Sequence, residues 1–395
     1  MIGIEKIELI NPEYTDNIPI FRINEAMGKW KCHRALYRWS KPPSPLNRPP
    51  REVFGKGITV HQSKASAVME AVERYCAQIF PHNNIIYANY EEVQNWAVHP
   101  SKFKFPESIP QKCWYCMARD FKCFNNLTNF HEWTWGFSLL KKKGILVPAA
   151  LVYYPYMSRN GISFLFNDTG GLASGNTIEE AILSGIAEVI ERDAVYNVFN
   201  SENISNIQFL EFKNSQNKFI KEFIDKAVPP EKIFAFLISN RIMLNIPTIV
   251  TFLCYKIGKV GFLFGGAGTH LNPEIALLRA LTEMEQQKVR KKILMEFNKS
   301  NLLCSNETST LGNSISIEEI PNKSTNNIKK DIEVYLRELS KINADVIIVN
   351  LTHPNIRVPV VRVIVPELIS YGGMMIKESL LMNIMGLEGK IEMLK

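Results

Sequence analysis

The strongest constraint on this chain is one acidic helical pattern that occurs three times. It reads SAVMEAVER at Ser66–Arg74, SGIAEVIER at Ser184–Arg192 and RALTEMEQQ at Arg279–Gln287. In each copy a polar residue is followed four positions on by a glutamate, and three positions later by Glu or Gln. Those offsets align three side chains on one helix face. The aligned sets are Ser66, Glu70 and Glu73; Ser184, Glu188 and Glu191; and Arg279, Glu283 and Gln286. Their neighbours are apolar: Ala67, Val68, Ala71 and Val72 in the first copy, Ile186, Ala187, Val189 and Ile190 in the second. A carboxylate pair on an apolar helix is costly to bury unless it is neutralised. One copy alone describes a solvated face on which Glu and Arg screen each other. Three copies with the same offsets call for a shared counter-charge, which hard divalent cations holding a polyanionic ligand supply.

At 395 residues the chain can bury a sizeable core. The formal charge of +7 is scattered, with short clusters at Lys141–Lys143 and Lys288–Lys292. That is too diffuse for a nucleic-acid stripe, so no nucleic-acid partner is expected. No run of about twenty apolar residues exists, so no membrane span is expected. The opening MIGIEKIELINPEY lacks the apolar core of a signal peptide, and a cytoplasmic location is the expectation. Seven cysteines, an odd number, argue against a disulfide framework. CWYC (Cys113–Cys116), with Cys123 and His131, offers half of a zinc site and no second CxxC, so no firm zinc site is expected. The histidines show no paired spacing, and His61, His131 and His270 read as loop or strand-edge residues.

Along the chain, residues 2–23 read as two strands around a turn. A Pro/Arg-rich loop (39–54) leads to GKG at Gly55–Gly57 and then to the first acidic helix, expected over about 62–80. HEWTWGFSLL and ILVPAALVYYPY read as a hairpin closed at KKKG. NDTGGLASGNT is a Gly-rich loop before the second helix, about 178–198, with Asn176 or Thr177 as its cap. FAFLISN and IPTIVTFLCYK are strand runs. VGFLFGGAGTHLNP reads as a strand and a Gly-rich loop before the third helix, about 273–297, with Pro273 in its first turn. Residues 299–327 are rich in Asn, Ser and Thr and read as a long, mobile loop. A helix over about 328–342 and the strands ADVIIVNL and VPVVRVIV follow. The recurring unit of strands, polar loop and acidic helix predicts a single α/β domain over 1–395 with internal pseudo-repeats. Neither GxxxxGK[ST] nor a strand-borne GxGxxG is present, which excludes P-loop and Rossmann readings.

GKG with SAVMEAVER, then GLASGNTIEEAILSGIAEVIERDA, then ALLRALTEMEQQKVR, closely resemble the YcaO family of ATP-dependent peptide-modifying enzymes, over roughly Ile2 to Leu368. The resemblance implies ATP held on acidic helices through more than one Mg2+, and phosphorylation of a peptide amide oxygen that another nucleophile then replaces. It implies that Glu70, Glu73, Glu188, Glu191 and Glu283 bind magnesium. Asn176 and Arg279 match residues near the nucleoside, and Arg74 and Arg192 the motif arginines, with Arg192 placed for phosphate. Ser66, Ser184 and Gln286 complete the helix faces. Lys56 reads as a phosphate contact or a turn lysine, and Arg290 as a phosphate ligand or part of a solvated basic face. No catalytic base is identified.

Two departures from the family pattern shape the expectation. The chain starts at the first strand, where many members carry a further segment, so its nucleotide contacts are expected from elsewhere, such as the Pro/Arg-rich loop. The ending GKIEMLK lacks the proline-rich tail of azoline formers, which favours the thioamide-forming branch. That branch implies a peptide or protein substrate, a sulfide source and a TfuA-like partner, with a homodimer also open. The alternatives are an azoline- or amidine-forming member and a non-catalytic ATP-binding scaffold.

Overall fold

The computed structural model describes residues 6–9, 21–24, 52–78, 84–105, 132–154, 156, 168–200, 207–226, 233–238, 245–257, 260–295 and 314–370. Chain order runs β1 (Lys6–Leu9), β2 (Phe21–Asn24), β3 (Glu52–Gly55), α1 (Val60–Cys76), β4 (Ile86–Tyr87), β5 (Glu132–Ser138) and β6 (Lys143–Pro148). It continues through β7 (Leu172–Ser174), α2 (Ile178–Asn200), β8 (Ile207–Glu211), α3 (Lys218–Lys226), β9 (Ile233–Ile238), β10 (Thr248–Ile257) and β11 (Val260–Thr269). The last elements are α4 (Pro273–Met295), β12 (Ser314–Ser316), α5 (Ile328–Ser340), β13 (Ile347–Asn350) and β14 (Val360–Ile364).

The strands form three sheets, ordered β1-β2-β3, β4-β5-β13-β14-β7 with β6 on β5, and β11-β10-β9-β8-β12. Each acidic helix follows a strand of a different sheet. α1 packs on β3 and reaches β7, α2 packs on β14 and β7 and reaches β11, and α4 packs on β11 and β10. Their apolar faces enter separate cores. Val72 and Cys76 of α1 join Ile145, Val147 and Val360. Ile186, Val189 and Ile190 of α2 join Tyr335, Val361 and Val363. Ala276, Ala280 and Met284 of α4 join Ala235, Ile249 and Leu253. Burying these faces releases apolar surface from water and leaves the polar residue of each motif to face its neighbours.

The three acidic helices and the β5–β6 hairpin occur where the sequence places them, with helix ends shifted by a few residues. Thr177 caps α2, its Oγ accepting from Glu180 N at 3.2 Å. Three expectations are corrected. The Gly-rich segment after VGFLF is strand, since β11 runs to Thr269 in register with β10. The glycines serve close packing: a Cβ on Gly266 would lie 2.1 Å from Ala280 O and 2.4 Å from Met284 N, so only hydrogen lets α4 lie on the strand. Residues 52–54, expected at the end of the Pro/Arg-rich loop, belong to β3, which pairs with β2; residues 39–51 lie outside the described residues. Residues 314–327 of the expected polar loop are ordered by local partners. β12 pairs in parallel with β8. Asp331 accepts from Ser324 Oγ at 2.7 Å and Thr325 N at 2.6 Å. Polar side chains that bond a buried carboxylate have the same composition as a free loop. Residues 299–313, and Cys113, Cys116, Cys123 and His131, lie outside the described residues.

Candidate active site

The site grows from the turn after β3. Gly55 lies under the first turns of α1, where a Cβ would meet Ser63 O at 2.1 Å. Ser63 Oγ donates to Gly55 O at 2.9 Å. Lys56, next in chain, donates its backbone N–H to Ser66 Oγ at 3.3 Å. Its Nζ reaches Glu283 Oε2 on α4 at 3.1 Å. The GKG lysine thus spans two acidic helices.

The third residue of each motif reaches the strand end of the next unit. Glu73 of α1 accepts from Ser174 N and Ser174 Oγ, each at 2.8 Å, at the end of β7. Glu191 of α2 accepts from Thr269 N at 3.1 Å, at the end of β11. Gln286 of α4 donates its Nε2 to Phe54 O in β3. These four bonds make three links that close a cycle from first unit to second, second to third and third to first. The third link runs from side chain to carbonyl, a polarity that an amide provides and a carboxylate cannot.

The second residue of each motif is held by a cation. Glu70 pairs with Arg74, and Glu188 with Arg192, both at 3.3 Å with i,i+4 spacing. The third copy has Gln287 in place of that arginine, and Glu283 takes Lys56 instead. Arg74 also lies over the Tyr154 ring, 5.4 Å from its centroid.

The electrostatics show how tightly the acids crowd. Burial, with Glu70 and Glu188 nearby, pushes the Glu73 carboxyl up to about 8 despite its two bonds from Ser174. Burial and Glu283 raise Glu191, with Arg192, Arg279 and Lys56 opposing. Burial would raise Glu283 too, but Lys56 and Arg192 outweigh it and hold that carboxyl below its usual range. Burial also opposes the charge on Arg192, yet Glu188, Glu191 and Glu283 raise its pKa. Its Nε is buried and finds no hydrogen-bond partner among the described residues.

The predicted glutamates therefore gather in two neighbouring groups, Glu70/Glu73/Glu188 and Glu191/Glu283, joined through Arg192. Among the described residues no three acidic, Cys or His side chains form a ready-made cation cage. That suits magnesium, which keeps waters and phosphate oxygens and takes only one or two carboxylates from a protein. The donors are all hard oxygens, and burial with neighbouring carboxylates raises Glu73 and Glu191, a crowding that a cation would relieve, so the residues fit the ion. Arg279 lies within electrostatic reach of Glu191. Asn176 is exposed at the head of α2 and bonds Glu180 through its backbone N at 2.7 Å and Nδ2 at 2.9 Å. Ser184 is half-buried on the α2 face that carries Glu188. Arg290 lies in α4, but its side chain is outside the described residues. His270, beyond β11, is pushed down to about 4 by burial and Arg279 and stays neutral.

Sequence reasoning missed the ion pair beside this cluster. Arg362, in β14, donates Nη1–H to Asp168 O at 3.0 Å and Nη2–H to Asp168 Oδ1 at 3.1 Å. Its signal was one arginine inside an apolar strand run, a charge that needs a reason to be buried.

Comparison with known proteins bears on this geometry. A family model described as YcaO cyclodehydratase, ATP- and Mg2+-binding, matches residues 54–369. An uncharacterized protein of Methanothermobacter thermautotrophicus is 31% identical over 331 residues, covering 80% of each chain. An uncharacterized protein in the tfuA 3' region of Rhizobium leguminosarum bv. trifolii is 26% identical over 247 residues, or 60% of this chain and 54% of that one. Among solved structures, a heterocyclase in complex with substrate and cofactor superposes with a TM-score of 0.71 at 24% identity. The alignment covers 92% of this chain and only 50% of the heterocyclase. YcaO from Methanopyrus kandleri, bound with AMPPCP and Mg2+, gives 0.63 at 20% identity, covering 92% and 86%. At these identities the superpositions establish the fold. No helix among the described residues is long and apolar enough to cross a membrane.

Proposed function

Because the chain belongs to the YcaO family, whose members are ATP- and Mg2+-binding enzymes of peptide backbone modification, we propose that it activates a backbone amide of a peptide or protein by phosphorylating the amide oxygen. The observation that carries this is the crowding of Glu188, Glu191 and Glu283, from two acidic helices, around Arg192, with Glu73 of the third helix in electrostatic reach of Glu188. One or two carboxylates at a time from Glu70, Glu73 and Glu188 on one side, and from Glu191 and Glu283 on the other, would hold Mg2+ together with phosphate oxygens. Magnesium there supplies neutralisation of the triphosphate and of the charge that moves with the phosphoryl group. Arg192 presents its Nε–H, which has no partner among the described residues, to a phosphate oxygen, and Lys56 and Arg74 add positive charge around it; Arg290 is a further candidate phosphate ligand on the sequence alone. Ser66 and Gln286 fix the GKG turn against α1 and α4. Arg279, Asn176 and Ser184 line the nucleoside side.

A peptide amide is a poor electrophile and its oxygen a poor leaving group. Once the oxygen carries phosphate it departs readily. We propose hydrosulfide as the replacing nucleophile. It adds to the amide carbon, the oxygen takes the γ-phosphoryl group of ATP, and collapse expels phosphate to leave C=S, ADP and hydrogen phosphate. The relative in the tfuA 3' region is what favours a TfuA-like partner protein. The test pairs phosphate release with peptide mass spectrometry in the presence of Mg·ATP and sulfide. A gain of about sixteen mass units marks the thioamide. A loss of about eighteen without added sulfide marks azoline formation by the peptide's own Cys, Ser or Thr and overturns the sulfur step alone. ATP turnover indifferent to peptide overturns amide activation as well.

A further inference from the structure

Beside the acidic cluster the structure holds a cleft with a different character. It is lined by Phe103, Phe105 and Leu151 on one side and by Val363–Pro366 on the other, with Asp168 and Arg362 among its lining residues. The first wall is fixed to the second by Lys104 N–H, which donates to Pro366 O at 2.9 Å. Arg362 is only 4% exposed, although it belongs to a strand of valines and isoleucine. Asp168 takes two of its N–H groups. Its Nε–H is buried with no partner among the described residues. A charged donor left unsatisfied in a buried position costs stability, and such a cost is kept where a ligand completes the bond. Glu188 and Arg74 of the acidic cluster lie within electrostatic reach of the same guanidinium, and Arg192 within that of Asp168, while α2, which carries Glu188 and Arg192, packs directly on β14. The cleft therefore adjoins the place where phosphate would be transferred.

We infer that this cleft is the acceptor site, and that it takes an extended, uncharged peptide segment whose reacting carbonyl oxygen lies on Arg362. The inference rests on the amide-activation reading. The ion pair carries no net charge and leaves the Arg362 Nε–H as the donor, which matches the C=O of a peptide group. The apolar walls suit small or apolar side chains flanking the reacting amide. Arg362 is then a catalytic residue: it polarises the carbonyl and turns its oxygen toward the phosphate donor. Asp168 is a positioning residue that holds the guanidinium in place.

The test places a photo-crosslinker in the wall, Phe105→p-benzoylphenylalanine, in the full chain. The probe is a pool of acetylated, amidated hexapeptides of random sequence, with Mg·AMPPCP present. Exposed Phe137 on β5, given the same replacement, is the control. Capture at 105 should exceed capture at 137. It should fall about tenfold on adding Arg362→Lys, which keeps the charge but loses the fixed fork. Because removing one partner strands a buried charge, the neutral pair Arg362→Gln with Asp168→Asn is measured alongside, and it should also lose capture. Affinity for Mg·AMPPCP should stay near that of the parent in both. Equal capture at 105 and 137, or capture indifferent to both Arg362 changes, overturns the acceptor site. A parallel collapse of nucleotide affinity overturns it too, assigning Arg362 to the nucleotide. Selective capture of peptides whose mass never changes with Mg·ATP and sulfide would instead overturn amide activation and leave the acceptor cleft standing.

Discussion

Glu73→Gln isolates the cost of crowding the carboxylates. Burial and its neighbours Glu70 and Glu188 raise the Glu73 carboxyl from 4.5 to about 8 in the folded chain. The native state therefore binds this proton more tightly than the unfolded state does. Native stability falls as pH rises through that interval, and the loss is complete above the folded value. The full interval would correspond to about 5 kcal/mol. Glu73 keeps some solvent contact, and solvent screening brings the expected effect to ~1–2 kcal/mol. Glutamine keeps an oxygen that still accepts from Ser174, so the anchoring of β7 survives the exchange. Without ligand, the variant and parent should melt together near about pH 5, where the parent is protonated, and the variant should lead by a few degrees near about pH 8.5. Adding Mg·AMPPCP should reverse the order, because the parent gains a cation that the variant holds poorly. Differential scanning calorimetry across that range, with and without ligand, reads both effects. A variant that melts lower at high pH without ligand, or a gap that ignores pH, would refute the crowding argument and make Glu73 a structural acceptor for Ser174.

Glu191→Gln should weaken Mg·nucleotide binding at least ~10-fold by calorimetry while the chain stays folded; unchanged affinity would remove its metal role. Lys56→Ala should destabilise the ligand-free protein by ~1–2 kcal/mol at neutral pH. Lys56 and Arg192 lower the Glu283 pKa, so that contribution is present above the unfolded value of 4.5 and fades as pH falls below it; denaturant midpoints at two pH values check this. Gly266→Ala should cost ~1–3 kcal/mol or block folding, because the added Cβ meets the α4 backbone; a neutral result by urea titration would mean that α4 is not seated on β11. Gln286→Glu should cost ~1–3 kcal/mol by setting a carboxylate against Phe54 O, and equal stability would show the third link of the cycle to be dispensable.

The repeat offsets carried most of the site into view. Helical spacing fixes which side chains share a face, and apolar neighbours fix which face turns inward, so Glu73 and Glu191 could be picked out before any coordinates. The strand ends that meet them could not. Ser174 and Thr269 contribute backbone N–H groups, and a backbone group has no sequence signature. The glycines of GGAG misled for a related reason: Gly266 is required by the way α4, the next element, folds back onto β11, yet locally it reads as a turn. Asp168 and Arg362 lie 194 residues apart, and neither belongs to a repeat, so their pairing exists only in the folded chain.

The third motif looks degenerate in sequence, with Gln286 where the others have Glu and no arginine after it. In the structure both changes have a counterpart. Gln286 faces a carbonyl where Glu73 and Glu191 face N–H groups. Lys56 comes from the turn before α1 to do for Glu283 what Arg74 and Arg192 do within their own helices. Had the third copy repeated the first two, the cluster would gain a sixth carboxylate opposed to a backbone oxygen. By departing, it closes the cycle and ties α4 to α1 through β3. The geometry of the five remaining acids then depends on all three units at once, so a cation bound between any two helices also stabilises the packing of the third.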